Sequence, residues 1–191
     1  MLPLIRVERD LEAGQWEKSD AGLLAGNEDR NILLAPIEPR GSYQWSLDFI
    51  PIEIGQTVAL VLPTGTSMVV AEINSQKDQI ARLCRLDGKS DRSTEAKKRH
   101  DPLIAGQAHR LSARVTKQAD NQILLEVALD DERIISWTGK EPQSSTARIY
   151  PINRIERPGI STNAGKYQIT GMQFKLLDGD ARFLDGAALA K

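Results

Sequence analysis

Tyr43-Gln44-Trp45-Ser46-Leu47-Asp48-Phe49 carries an apolar side chain at every odd position and a polar one at every even position. Successive side chains of a β-strand point to opposite sides, so this stretch describes a strand with one face in a core and the other in water. The same alternation returns at Ile123, Leu125, Val127 and Leu129, opposite Gln122, Glu126 and Asp130. That is a second half-buried strand.

Outward from these two strands the chain continues in β-type segments. Thr57 to Leu62 and Ser67 to Ile73 are rich in β-branched residues and flank Pro63-Thr64-Gly65, which predicts a hairpin. Leu111 to Lys117, Gln122 to Leu129 and Arg133 to Trp137 predict a three-strand meander turning at Gln118-Ala119-Asp120-Asn121 and at Asp130-Asp131-Glu132. Further strands are expected at Leu4 to Val7, Leu23-Leu24, Ile32 to Leu34, Ala147 to Tyr150 and Tyr167 to Leu177, with Asp178-Gly179 turning the chain into Ala181 to Leu184. Short, evenly spaced strands of this kind predict an all-β, two-sheet antiparallel sandwich. One stretch is ambiguous. Ser75-x-x-Asp78 has the form of a helix capping box, with Ile80, Leu83 and Cys84 at helical spacing before Gly88. Asp87 to Gln107 is polar apart from Leu103-Ile104 and reads as a long loop.

Composition narrows the function classes. A chain of 191 residues, 40% hydrophobic, is long enough for one core to bury roughly 70% of the unfolded chain's surface, and no linker divides it. The expectation is a single domain over 1–191, with a core from about Leu4 to Leu184. A net charge of −1 gives no global field for phosphates, so nucleic acid is not an expected partner. No apolar run approaches the ~20 residues of a membrane span. Met1 to Ile5 is interrupted by Pro3 and followed by charges, unlike a secretory leader. The abrupt start in an extended segment reads as one piece of a longer protein, which leaves the compartment open, an extracytoplasmic one included. Cys84 is the only cysteine and reads as a buried thiol.

Catalytic and metal motifs fail on spacing. Gly88-Lys89-Ser90 has the tail of a phosphate-binding loop, but Leu83 stands where that loop needs its first glycine. His100 and His109, the only histidines, lack the close ligand pairs of zinc sites; His100 reads as a solvated loop residue and His109 as a strand-edge residue. Asp130, Asp131 and Glu132 read as a solvated turn, and Asn27-Glu28-Asp29 and Asp178-Gly179-Asp180 as surface turns rather than calcium loops. Lys97-Lys98-Arg99-His100 reads as a solvated basic run. No catalytic residue, metal ligand set or cofactor is expected. Trp45, in phase with Tyr43 and Phe49, belongs to the core, while Trp137 fits either a core position or a sugar-stacking platform.

Several segments resemble, in order along the chain, the concanavalin-like jelly-roll domains that include laminin-G-like modules and the bacterial 3-keto-disaccharide hydrolase-like family. They are Trp16-Glu17 leading to Gly22-Leu23-Leu24, then Gly41 to Phe49, Arg85 to Lys89, His109 to Val115, and Val127 to Gly139. The chain has Asp130-Asp131 where that family's hairpin has Asp-Gly, and its late Gly-x-Trp segment is missing around Gly159 to Gly165. The resemblance implies a jelly roll and favours strand over helix for Gln79 to Leu86. A jelly roll's concave sheet face can hold an extended glycan. The foremost expectation is therefore a non-catalytic carbohydrate-binding module using Asp48, Glu72, Arg85, Asp87, Lys89 and Trp137. Two other readings stay open. One is a protein-interaction or structural domain of a larger protein; the other, implied only by the resemblance, is a glycoside or 3-keto-glycoside hydrolase, which needs two converging carboxylates.

Overall fold

The computed structural model describes residues 1–74, 79–84, 86, 97–141 and 150–184. Its strands are β1 (Leu11–Ala13), β2 (Trp16–Ser19), β3 (Gly22–Ala25), β4 (Asn31–Leu34), β5 (Ile37–Pro39), β6 (Tyr43–Glu53), β7 (Thr57–Pro63) and β8 (Met68–Ile73). They continue as β9 (Ile80–Cys84), β10 (Lys97–Arg99), β11 (His109–Lys117), β12 (Gln122–Leu129), β13 (Glu132–Lys140), β14 (Gly159–Asn163), β15 (Lys166–Leu176) and β16 (Ala181–Phe183). Two seven-stranded antiparallel sheets result, ordered β1-β4-β14-β7-β8-β9-β10 and β13-β12-β11-β6-β15-β3-β2, with β5 and β16 paired apart. The fold is a two-sheet β-sandwich.

Alternation sets which residues go between the sheets. From the second sheet come Tyr43, Trp45, Leu47 and Phe49 of β6, Leu111 and Val115 of β11, and Leu125 and Val127 of β12. The first sheet contributes Leu60 and Leu62 of β7, Val69 and Ala71 of β8, and Leu83 of β9. Large aromatic residues also carry polar ends that must be satisfied inside. Those ends tie the sheets together: Tyr43 donates its hydroxyl to the Pro63 carbonyl at 2.8 Å, Trp45 its indole N–H to the Gly159 carbonyl at 3.0 Å, and the Gly55 amide donates to the Tyr167 hydroxyl at 2.9 Å.

The first sheet is apolar on its other face as well. Ile32, Leu34, Ala59, Val61, Met68, Val70 and Cys84 alternate with the core residues, and all are fully buried. Cross-strand pairs such as Ala59↔Glu72 and Val61↔Val70 put them on one surface. What covers that surface is the strap of chain from Tyr150 to Arg157, whose Tyr150 and Ile152 complete the cluster and against which Ile155 packs. Cys84 is buried there, as its sequence reading predicts.

Polar anchors seat the strap. Arg157 donates to Asp10 at 2.6 Å and to the carbonyls of Ala35 and Leu34, with both side chains of the ion pair almost wholly buried. Arg154 holds Glu12 at 2.7 Å. Burial pushes the Asp10 carboxyl up, but bonds from the Arg9 side chain, the Arg6 amide and Arg157 outweigh it and hold it below its ordinary value.

Several elements differ from expectation. Leu4 to Val7 is not a strand: a 3₁₀ turn at Leu2–Leu4, with Pro3 in its first turn, leads to the short helix α1 (Val7–Asp10). The Arg6 amide donates to the Asp10 carboxylate at 2.9 Å, so the local bond and the buried pair with Arg157 decide the conformation there. Lys97 to Arg99, expected in a loop, forms β10 by pairing with β9. Ala181 to Phe183 follows the Asp178-Gly179 turn but pairs with β5, not with β15. Gln79 to Leu86 contains the strand β9, because Ala81 and Leu83 face the main core while Cys84 faces the strap side. The expected features at 75–78, 87–96 and 147–149 lie outside the described residues.

Removing one member of a buried ion pair leaves the other uncompensated, at a cost of about 3–5 kcal/mol. Asp10→Ala is therefore expected to lower the free energy of unfolding by that amount, read from urea unfolding as a lower midpoint at an unchanged slope. A loss under about 1 kcal/mol would be the behaviour of a surface pair.

Candidate functional site

Among the described residues expected to bind a ligand, Asp48, Glu72 and Trp137 do not share a surface. Asp48 lies on the outer face of the second sheet, where Arg110 donates to both of its carboxylate oxygens at 2.6 and 3.1 Å. Glu72 lies in the first sheet, buried beneath the strap, accepting from Arg82 at 2.6 Å and from the Tyr150 hydroxyl. Burial, and then the Glu72 charge, push the Tyr150 phenol well up, which keeps it the donor. Trp137 pairs with Leu125 and packs half-buried against the main core. Arg85, Asp87 and Lys89 lie outside the described residues. An extended glycan cannot reach Glu72 on its sheet face while the strap covers it.

A cavity of about 340 Å³ opens instead at one end of the sandwich, lined by the loop His100–Gln107, by His109 and by the β12–β13 turn from Leu129 to Ile134. That volume is at the small end of ligand pockets, ~300–1,000 Å³. The loop crosses from β10 in one sheet to β11 in the other. Leu103 pins it into the core, while its neighbour Ile104 is 56% exposed. The Gly106 amide donates to the Pro51 carbonyl at 2.8 Å, and the His100 amide to Gln79 at 2.9 Å. Gly106 takes φ +79°, a turn conformation that costs glycine little.

Both histidines are built into this end: His100 is buried, contrary to its reading as a solvated loop residue, and His109 opens β11, at the strand's end as read. His100 accepts the Asn74 amide at Nε2, 2.9 Å, and its Nδ1 lies 2.6 Å from the Asp101 carbonyl, which assigns the ring proton to Nδ1. Asn74 in turn donates its side-chain N–H to the Gly55 carbonyl at 2.9 Å, so the loop is tied to the β6–β7 connection. His109 points Nδ1 at Asp130, 2.7 Å away, and its Nε2 accepts from the Ile104 amide at a long 3.4 Å. Asp130 is more than a solvated turn residue, since its second oxygen accepts the Arg110 amide at 2.7 Å. Asp130 and Asp131 both adopt positive φ, 49° and 66°, so this pair makes the left-handed turn that Asp-Gly makes in similar hairpins.

Sequence reasoning missed Asp101, Gln107, His109, Asp130 and Glu132 as a group. One signal was present: pairing back along the β11–β12 hairpin from Lys117↔Ile123 puts Leu111 opposite Leu129, and so Asp130 opposite Arg110, one position from His109. Among the described residues no group of three or more His, Cys, Asp or Glu is placed to hold a metal ion.

The facing sheets define a galectin-like or concanavalin-like β-sandwich. No family model and no curated protein matches the sequence. Solved structures share the fold at low identity. The carbohydrate binding module CBM66 from Bacillus subtilis superposes with a TM-score of 0.60 at 11% identity, over 87% of this chain and 94% of that one. A Bacillus subtilis protein described as having a galectin-like fold gives 0.60 at 13% identity, over 91% and 93%. The carbohydrate recognition domain of Emp46p, in its metal-free form, gives 0.59 at 11% identity, over 91% and 93%.

Burial, reinforced by nearby His109, lowers the His100 pKa from its ordinary 6.5, against the opposing pull of the Asp101 carbonyl and carboxylate. The unfolded chain then takes up the proton more readily than the folded one. Stability from this group is complete above about pH 6.5 and is lost as pH falls below that toward the folded value. Unfolding midpoints are expected to drop through this range. His100→Gln, which carries no titrating ring, should flatten the drop while lowering stability throughout; equal slopes in the two proteins would acquit His100.

Proposed function

We propose that this chain is a non-catalytic carbohydrate-binding module whose site is the cavity at the end of the sandwich. The observation that carries the reading is the character of that cavity: acceptor side chains of Asp101, Gln107, Asp130 and Glu132 surround apolar Pro102, Ile104, Leu129 and Ile134. A sugar ring offers the complement, hydroxyl donors around its edge and C–H groups on its faces. The carbohydrate-binding names of CBM66 and Emp46p support the class through the shared fold. They do not supply the site, because one fold hosts many functions.

A second reading, a protein-interaction domain, is favoured by exposed Ile52, Ile54 and Ile104, the last of which also lines the cavity. Of the acids named for the enzymatic reading, Asp48 and Glu72 sit in different sheets, each paired with an arginine.

Calorimetric titration with a panel of neutral oligosaccharides is expected to give saturable binding. Asp101→Ala combined with Gln107→Ala, both at exposed positions, removes two hydrogen bonds worth about 1 kcal/mol each and should weaken binding about thirtyfold. Asp48→Ala, on the outer face of the second sheet, should leave affinity unchanged. Binding that responds to Asp48 and not to the cavity pair would move the site to that face.

A further inference from the structure

We infer that the loop His100–Gln107 is an acid-released flap, latched at His100 and hinged at Gly106, so that protonating His100 opens the cavity while the sandwich stays folded. The opening of the flap stands on its own geometry; its effect on a ligand rests on the carbohydrate-binding reading of the cavity.

The latch is a hydrogen bond with a fixed direction. His100 Nε2 accepts the Asn74 amide at 2.9 Å, and Nδ1, 2.6 Å from the Asp101 carbonyl, carries the ring proton. A second proton can enter only at Nε2. There it sets an N–H against the Asn74 N–H, donor facing donor, on a residue 6% exposed. The Asn74 amide loses its acceptor and a charged ring is left buried; both costs are relieved when the ring swings into water. Imidazole is the side chain that makes such a change within about pH 5–8.

The charges around the ring set the sign. Among the described residues, Asp101 lies on the flap itself, His109 comes from β11, and Asp130 and Glu132 come from the β12–β13 turn. Asn74, just past β8, and Gln79, leading into β9, do not titrate, and Arg99 beside His100 in β10 is exposed. Burial, reinforced by His109, outweighs the Asp101 carbonyl and carboxylate and lowers the pKa of the latched ring. A ring released into water regains its ordinary value, so acid favours the open flap over the closed one.

Between latch and hinge the flap is weakly held. The Ile104 amide reaches His109 Nε2 only at 3.4 Å, beyond the usual ~2.7–3.2 Å. Leu103 is its buried apolar anchor, which keeps it shut while His100 is neutral. Pro102 has a fixed φ and restricts Asp101 before it, so a movement of His100 passes along both as a stiff unit. Gly106, at φ +79°, turns at little cost while its amide holds the Pro51 carbonyl. Asp101, Pro102 and Ile104 line the cavity and leave with the flap.

Hydrogen exchange of the labelled full chain, followed by nuclear magnetic resonance from about pH 7.5 to about pH 5 and expressed as protection factors, reads the flap directly. The amides of Asn74, His100 and Gln107, bonded to His100 Nε2, Gln79 and Ile104, are expected to lose protection about tenfold per pH unit below about pH 6.5. The loss should level off at the midpoint of the His100 ring shifts, with Leu60 in β7 and Val127 in β12 steady throughout. His100→Gln should remove the pH dependence at all three amides. Affinity for neutral oligosaccharides, by calorimetry, should be at least tenfold lower at the acid end. Loss at Asn74 alone is a ring flip without a flap and overturns the inference. So does loss shared by Leu60 and Val127, loss that persists in His100→Gln, or loss that levels off away from the ring's midpoint. Unchanged affinity across an opening flap overturns both the inference and the cavity as the site. No oligosaccharide binding at either pH overturns the carbohydrate-binding reading, and exchange alone then decides the flap.

Discussion

The outer face of the sheet that holds β7 and β8 is as apolar as its inner face, and the strap from Tyr150 to Arg157 is there because of it. Ile32, Leu34, Val61, Met68 and Val70 each stand to gain about 1.5–3 kcal/mol from leaving water, and no second layer of regular structure covers them among the described residues. Tyr150 and Ile152 do so. The buried Arg157–Asp10 pair adds little net energy, since the desolvation of two charges offsets their attraction. Its role is to fix where the strap lies, which also explains why the N-terminal segment folds as the short α1 turn that presents Asp10. Arg82, Glu72 and Tyr150 make a second polar anchor farther along the same face.

That covering closes one face of the first sheet to a ligand. A sandwich can offer a sheet face or the loops at its ends, and here one sheet face is filled by the protein's own chain. The loop from His100 to Gln107 and the turn at Asp130-Asp131 remain, held by bonds to β6, β8 and β11 rather than left free. A segment of this kind, irregular in backbone but anchored to both sheets, holds its side chains in place. His100 contributes by position more than by chemistry, since it spends both nitrogens on the loop and on β8. His109 also has a partner at each ring nitrogen, Asp130 at Nδ1 and the Ile104 amide at Nε2.

Much of this architecture could be read from residues alone, and the limits have physical causes. Period two in β6 and β12 identified half-buried strands and the meander, because one face of each meets the core and the other meets water. The continuous apolar runs of β7 and β8 carried a further message, that both faces of their sheet are covered, which is incompatible with a polar glycan groove at Glu72. The strap itself left no trace. It has neither helical nor strand periodicity, and its anchors pair residues 147 and 142 positions apart in sequence. β10 was invisible for a similar reason: three charged residues form a strand only because β9 is there to pair with them. His109 and Asp130, by contrast, follow from counting along one hairpin, once its turn is placed.

The most direct measurement of the central claim is a nitrogen–proton correlation spectrum of the labelled chain, recorded during titration with the oligosaccharide it binds best. Saturable shifts are predicted at the amides of Ile104, Gln107, His109 and Glu132, with those of Val61, Val70 and Ile152 beneath and within the strap unmoved. Shifts centred on the strap and on β7 and β8, with the cavity amides unmoved, would contradict the account.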